Sequence, residues 1–141
     1  MASLLCWKKK YLFGNNKLIK LPIVFNITLL RAIIDEPLIK TKVSFNKEID
    51  LRNFLDKDFG DYSLKTEYTL YALNVCHASC KRYGHYYSYI LINDEWHKFD
   101  DWRVSKVSNN MIEEDLSYIY GIYYISKEYI NSLNLIKNKN I

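Results

Sequence analysis

The stretch Gly84–Asp101, which reads Gly-His-Tyr-Tyr-Ser-Tyr-Ile-Leu-Ile-Asn-Asp-Glu-Trp-His-Lys-Phe-Asp-Asp, constrains the chain more than any other. Its alternation places His85, Tyr87, Tyr89 and Leu91 on one face of a strand. Asn93-Asp94 supplies a two-residue turn. With that turn Ile92 pairs with Glu95, Tyr87 falls opposite Asp100 and His85 opposite Trp102. His85 and Asp100 are then diagonal neighbours on one face, with backbones roughly 5.5–8 Å apart and side chains within reach. Asp101 points to the other face. A three-residue turn would slip the register by one and exchange the two aspartates.

A histidine beside a carboxylate can act as a general base with its orienter: the carboxylate fixes one ring nitrogen so that the other takes a proton from a nucleophile. The same residues also describe an amphipathic hairpin with a polar edge. Residue types alone leave both readings open.

At 141 residues the chain is one domain or a piece of one. Thirteen tyrosines and a 16% aromatic fraction, with abundant Ile, Val and Thr, favour sheet. The 20 basic and 16 acidic residues are interspersed, and Lys8-Lys9-Lys10 is the only basic run. That run reads as a solvated terminus, so no nucleic-acid partner is expected. Three cysteines, an odd number, and no signal peptide point to a reducing compartment, cytoplasmic or nuclear. No apolar run is long enough to cross a membrane, and no membrane partner is expected. With only four glycines the chain offers no phosphate-cradling loop, and no nucleophile elbow is present. No cofactor is expected.

Taken in order, residues 17–31 are strand-like, with Pro22 near the start. Asp35-Glu36-Pro37 marks a turn, and residues 42–45 form a short strand. Residues 48–55 make a short helix or turn. Residues 56–61 form a loop ended by Gly60. Residues 66–76 are the longest clear strand, and 77–84 a polar loop leading into the hairpin. Another short strand covers 103–107. Ser108 caps a helical turn, with Glu113 and Glu114 near its start and favoured by the helix dipole. A buried strand spans 118–125. Ser126 caps a C-terminal helix with Ile130, Leu133 and Ile136 on one face, before a tail that frays to residue 141.

Several of these segments, in this order, resemble the ubiquitin-specific proteases, the papain-like cysteine deubiquitinases. The matching residues are Tyr68-Thr-Leu-Tyr-Ala-Leu-Asn-Val75, His77, Gly84-His85-Tyr86-Tyr87-Ser88-Tyr89, Trp96, Phe99-Asp100-Asp101, Val104, Val107 and Tyr120-Gly-Ile-Tyr-Tyr124. Upstream, Leu21-Pro22-Ile-Val24 and Leu29-Leu-Arg31 resemble the family's Leu-Pro-x-Val-Leu…Leu-Lys-Arg-Phe strand. Lys42-Val43-Ser-Phe45 and Ile49-Asp50-Leu51-Arg-Asn-Phe54 follow in the family's order. The resemblance implies an α+β fold, mainly antiparallel sheet with short helices, forming the palm-like half of the catalytic domain over residues 17–126. Residues 1–16 would be a remnant of the fingers and their zinc knuckle, and 127–141 a C-terminal helix and tail. Cys6 alone cannot build a four-ligand zinc site, and no metal is expected.

By the same resemblance His85 is the base, Asp100 its orienter and Asp101 a second carboxylate near the oxyanion region. His77, Gly84 and Tyr86 would lie near the substrate, which would be ubiquitin or a ubiquitinated protein. The departures are as specific as the matches. The family's Gly-Asn-Thr-Cys nucleophile box is absent from these 141 residues. Leu30, Ala32 and Asn46 stand where the family has Lys, Phe and Pro, and Ser79 and Tyr83 stand where it has glycines. Neither Cys76 nor Cys80 sits at a helix N-terminus where a thiol is acidified. Two functions follow. The segment supplies base and orienter to a nucleophile carried elsewhere, by a separate N-terminal half or a longer gene product, or it is an inactive ubiquitin- or protein-interaction module.

Overall fold

The computed structural model describes residues 2–3, 17–31, 38–58, 60, 65–80 and 83–132. The expected Asp35-Glu36-Pro37 turn, Ala32, Cys6 and the tail beyond 132 lie outside the described residues, as does the expected remnant of the fingers over residues 1–16 apart from residues 2–3. The strands are β1 Ala2–Ser3, β2 Val24–Thr28, β3 Val43–Ser44, β4 Glu48–Asp50, β5 Glu67–Cys80, β6 Tyr83–Ile92, β7 Glu95–Asp100, β8 Arg103–Lys106 and β9 Ile119–Ser126. A short helix α1 covers Asn109–Glu114, and 3₁₀ turns cover Arg52–Phe54 and Asp115–Ser117. Residues 127–132 are helical, immediately after Ser126.

One antiparallel sheet dominates, in the order β2-β9-β5-β6-β7-β8 with β4 also on β5. The fold is therefore α+β and mainly antiparallel sheet, as the sequence indicated. β1 and β3 form a separate two-stranded parallel pair. β5 is the organising strand. It pairs with β9 along one edge and with β4 and then β6 along the other. β4 replaces the helix or turn expected at its position, and only residues 52–54 are helical there.

One face of the sheet carries the core: Tyr68, Leu70, Leu73 and Val75 from β5, Tyr87 and Tyr89 from β6, Ile122 and Tyr124 from β9. Leu21, Ile27, Leu51, Leu55, Ile112 and Ile119 complete it. Buried tyrosines need acceptors for their hydroxyls. Tyr68 donates to the Pro22 carbonyl and Tyr124 to the Asn46 carbonyl at 2.8 Å. Asn46, where the family has Pro, thus fastens β9 through its backbone. Arg31 fixes the exit of β2, donating to the carbonyls of Ile119, Thr41, Ile39 and Leu116 at 2.7–3.3 Å. Burial lowers the pKa of its guanidinium.

The opposite face is half-open and polar-aromatic. Ser88 donates to Asn74 at 2.9 Å, and Asn74 donates to the Tyr123 hydroxyl at 2.9 Å. Gly121 lies directly opposite Asn74 in the ladder. A Cβ there would stand 3.0 Å from the Tyr123 ring and 3.2 Å from the Asn74 Cβ. Gly121→Ala is therefore expected to cost about 1–2 kcal/mol by crowding a central strand, read as a lower urea midpoint at unchanged slope.

Candidate active site

The β6–β7 connection is a two-residue turn with Asn93 and Asp94 at φ 50° and 62°. Positive φ at both central residues matches the right-handed twist of the strands, and Asn and Asp tolerate it best after glycine. The turn sets Ile92 against Glu95, Leu91 against Trp96, Ile90 against His97, Tyr89 against Lys98 and Ser88 against Phe99. This is the register read from the sequence, not the slipped alternative.

His85 lies near the start of β6 and Asp100 ends β7. The His85 Nε2 is 2.5 Å from Asp100 Oδ1. The Lys98 ammonium is 2.9 Å from the other oxygen, Oδ2. Hydrogen bonding from Lys98, and then from His85, lowers the Asp100 pKa and keeps the carboxylate ionised. An ionised carboxylate only accepts, so His85 Nε2 must carry the proton. In the neutral ring Nδ1 then holds the lone pair. The His85 side chain is 52% exposed, so that nitrogen can be approached.

Asp101 corrects an expectation. Strict alternation sends it to the opposite face, but its φ of 51° breaks the strand. One donor atom from each of His85, Asp100 and Asp101 lies within 4.8 Å of the other two. Among the described residues this is the group with the geometry nearest to a metal centre. Asp100 is already divided between His85 and Lys98, which makes the arrangement an ion-paired couple.

The other candidates separate. His77 is not in a loop, because β5 runs on through it to Cys80 and pairs it with His85. Its Nε2 meets Asp115 at 2.8 Å and its ring stacks on Tyr118 at 3.8 Å between centroids. Gly84 pairs with Ala78 in the same ladder, inside β6 rather than before it. Tyr86 lies on the opposite face from His85, edge-on to Tyr120 at 5.8 Å. A hydrogen bond with Cys76, its ladder partner, raises its pKa. Cys76 therefore faces away from His85. Cys80 is in the backbone of β5, and its side chain is outside the described set.

Asp115 is the residue the sequence reading missed. It is buried, and its Oδ2 accepts from Tyr87 at 2.5 Å and Tyr89 at 2.6 Å, while Oδ1 meets His77. The available signal was two tyrosines on the core-facing side of β6, whose hydroxyls needed an acceptor. The helical turn was also misread: α1 ends at Glu114, so Glu113 and Glu114 lie at its C-terminal end, where the dipole opposes them, and Ser108 makes no side-chain capping bond.

Burial raises the Asp115 pKa, but the bonds from Tyr87, Tyr89 and His77 outweigh it and hold the carboxyl below the usual aspartate range. Burial and the same carboxylate push the tyrosine hydroxyls far up. A carboxyl depressed in the folded state contributes stability that is complete above its unfolded value and lost as pH falls through the folded one. Acid unfolding is expected to steepen below about pH 4, and Asp115→Asn to flatten that slope. Urea midpoints measured from neutral pH downward decide it.

Three comparisons bear on this geometry. The profile of the family described as ubiquitin carboxyl-terminal hydrolase matches residues 4–123. Ubiquitin carboxyl-terminal hydrolase 20 of Arabidopsis thaliana is 34% identical over 105 residues, which is 71% of this chain and 15% of that protein. Ubiquitin carboxyl-terminal hydrolase 15 of Saccharomyces cerevisiae is 32% identical over 55% of this chain and 7% of its own length. The chain thus spans a small part of the relatives it matches. The solved SAGA Ubp8/Sgf11/Sus1/Sgf73 DUB module bound to ubiquitin aldehyde superimposes with a TM-score of 0.59 over 76% of this chain and 25% of that one, at 21% identity. That similarity supports the fold.

Proposed function

The chain belongs to the ubiquitin carboxyl-terminal hydrolase family, with the domain type of a ubiquitin-specific protease, and from that premise we propose that it supplies the base and orienter of a thiol-dependent cleavage at the C-terminus of ubiquitin. The observation that carries this reading is the 2.5 Å contact between His85 Nε2 and Asp100, with no hydrogen bond to the second ring nitrogen among the described residues. His85 takes the proton of an incoming thiol and later returns it to the leaving lysine amine. Asp100 holds the tautomer and stabilises the imidazolium. Asp101, at the mouth of the couple, is placed to orient water or backbone near the developing oxyanion.

His77 enters as a fixed wall of the site, since one ring nitrogen and one ring face are already engaged. Gly84 borders His85 on β6 and is assigned to the approach of the substrate tail, whereas Tyr86 faces Cys76 and Tyr120 on the other side of the sheet and is given no part in it. The nucleophile is assigned to a Cys box outside these 141 residues, in a preceding segment or a separate chain. We assign the reaction to the cytoplasm or nucleus on the odd number of cysteines. Among the described residues no helix is long and apolar enough to cross a membrane.

A second reading rests on Cys76. It faces Tyr86 across the sheet from His85 and cannot serve that base. On its own the chain would then bind ubiquitin without cleaving it. Purified chain is assayed for hydrolysis of a ubiquitin–rhodamine conjugate and for ubiquitin binding. Turnover abolished by His85→Ala establishes a nucleophile within the chain. Micromolar binding without turnover establishes the module. Absence of both refutes the assignment to ubiquitin.

A further inference from the structure

Asp115 touches neither His85 nor Asp100, yet its contacts lead to both. We propose that Asp115 is a positioning residue for the His85–Asp100 couple, acting through the ring of Tyr87. The inference rests on the assignment of His85 and Asp100 above, and deepens it.

Each link is a short contact. Tyr87 is buried and gives its hydroxyl to Asp115 at 2.5 Å. That bond, from the 3₁₀ turn after α1, pins the far end of the ring. The ring face carries the Lys98 ammonium at 3.7 Å from its centroid. A desolvated cation over an aromatic face is held there by the ring quadrupole. Lys98 in turn binds Asp100 Oδ2 at 2.9 Å, leaving Oδ1 for His85. A carboxylate alone turns freely about its last torsion. Two donors arriving from different directions fix it. The imidazole of His85 also packs on Tyr87, at 5.8 Å between centroids. Both members of the couple are thus referenced to one ring, and the orientation of that ring is set by Asp115.

Tyr89 provides a matched control. Its hydroxyl binds the same Asp115 oxygen at 2.6 Å, and no cation sits on its ring among the described contacts. Tyr89→Phe removes the same kind of bond from the same carboxylate but keeps its ring edge-on to Tyr87, at 5.6 Å between centroids, so the platform under Lys98 keeps both that packing and its own bond to Asp115. Both Phe variants keep the ring volume, so the fold is retained.

The titratable groups around His85 are His77, its ladder partner on β5 with Asp115 behind it, Tyr87 on β6, Asp100 and Lys98 from β7 and Asp101 from the turn after it, and Arg103 lies opposite Asp100 on β8. When Lys98 loses its seat, the Asp100 charge is left less compensated and favours the imidazolium. The imidazole nitrogens of the ¹⁵N-labelled full chain are followed by NMR between about pH 5 and 9, beside thermal unfolding. Tyr87→Phe is expected to raise the His85 midpoint by about 0.3–0.5 pH unit and to mix its tautomers, with His97, on the opposite face of β7, as the reference. Lys98→Met is expected to shift it in the same direction and further, and Tyr89→Phe to leave it in place.

Equal shifts from Tyr87→Phe and Tyr89→Phe would mean a field effect of Asp115 and would overturn the proposal. So would an unmoved His85 in Tyr87→Phe or in Lys98→Met, even where the unfolding temperature falls. The readout needs no substrate. A failure to cleave or bind ubiquitin refutes the assigned function and leaves the His85 result standing.

Discussion

Asp115→Ala is expected to destabilise the fold by about 3–5 kcal/mol, the largest loss of any single polar substitution among the described residues. Three donors converge on that carboxylate: the hydroxyls of Tyr87 and Tyr89 and the Nε2 of His77. Tyr87 and Tyr89 are 8% and 1% exposed, so water cannot replace the lost acceptor without opening the core. Two buried hydroxyls left unpaired cost roughly 1–3 kcal/mol each, and the small cavity adds to that. Asp115→Asn keeps one acceptor oxygen but turns an NH₂ toward the donors, and its loss is expected near half as large. Tyr87→Phe and Tyr89→Phe each remove donor and demand together, and each is expected to cost about 1 kcal/mol. Urea unfolding at neutral pH measures all four. A loss below about 1 kcal/mol for Asp115→Ala would show that the carboxylate is hydrated in solution and that the node is not a buried network.

The contrast between this node and the hairpin explains what the sequence discloses. The β6–β7 register was legible because every determinant is local. Asn93-Asp94 allows one turn geometry, and the alternation of His85, Tyr87, Tyr89 and Leu91 then fixes the faces. The His85–Asp100 contact follows from register alone. Asp115 lies 26 to 38 residues from its three partners, so no periodicity announces it. In sequence it merely extends the acidic run Glu113-Glu114. A different cause, local pairing against composition, hid the true length of β5. His77-Ala78-Ser79-Cys80 is polar and small, which reads as loop, but pairing with β6 supplies the ladder that propensity does not. Asp101 was misplaced for a third reason. Alternation holds only while the backbone stays extended, and a left-handed residue ends it.

The second large effect concerns turnover. In any preparation that hydrolyses a ubiquitin–rhodamine conjugate through this site, His85→Ala is expected to lower kcat/KM by roughly 10³-fold or more, since no neighbouring group can take the thiol proton. Asp100 and Asp101 are carboxylates, too weakly basic to take a thiol proton, Lys98 is committed to Asp100 and to the Tyr87 ring, and His77 is committed to Asp115. Asp100→Asn retains an oxygen that can accept from Nε2, so the tautomer survives in part, but the imidazolium loses its counter-charge. A loss of roughly 10- to 100-fold is expected, carried by kcat rather than KM. Asp101→Asn leaves the 2.5 Å contact intact and is expected to lower kcat/KM by less than roughly tenfold. The order of the three variants is the test. If Asp101→Asn proved more damaging than Asp100→Asn, the orienter would be Asp101, and the β6–β7 register would position the wrong carboxylate for catalysis.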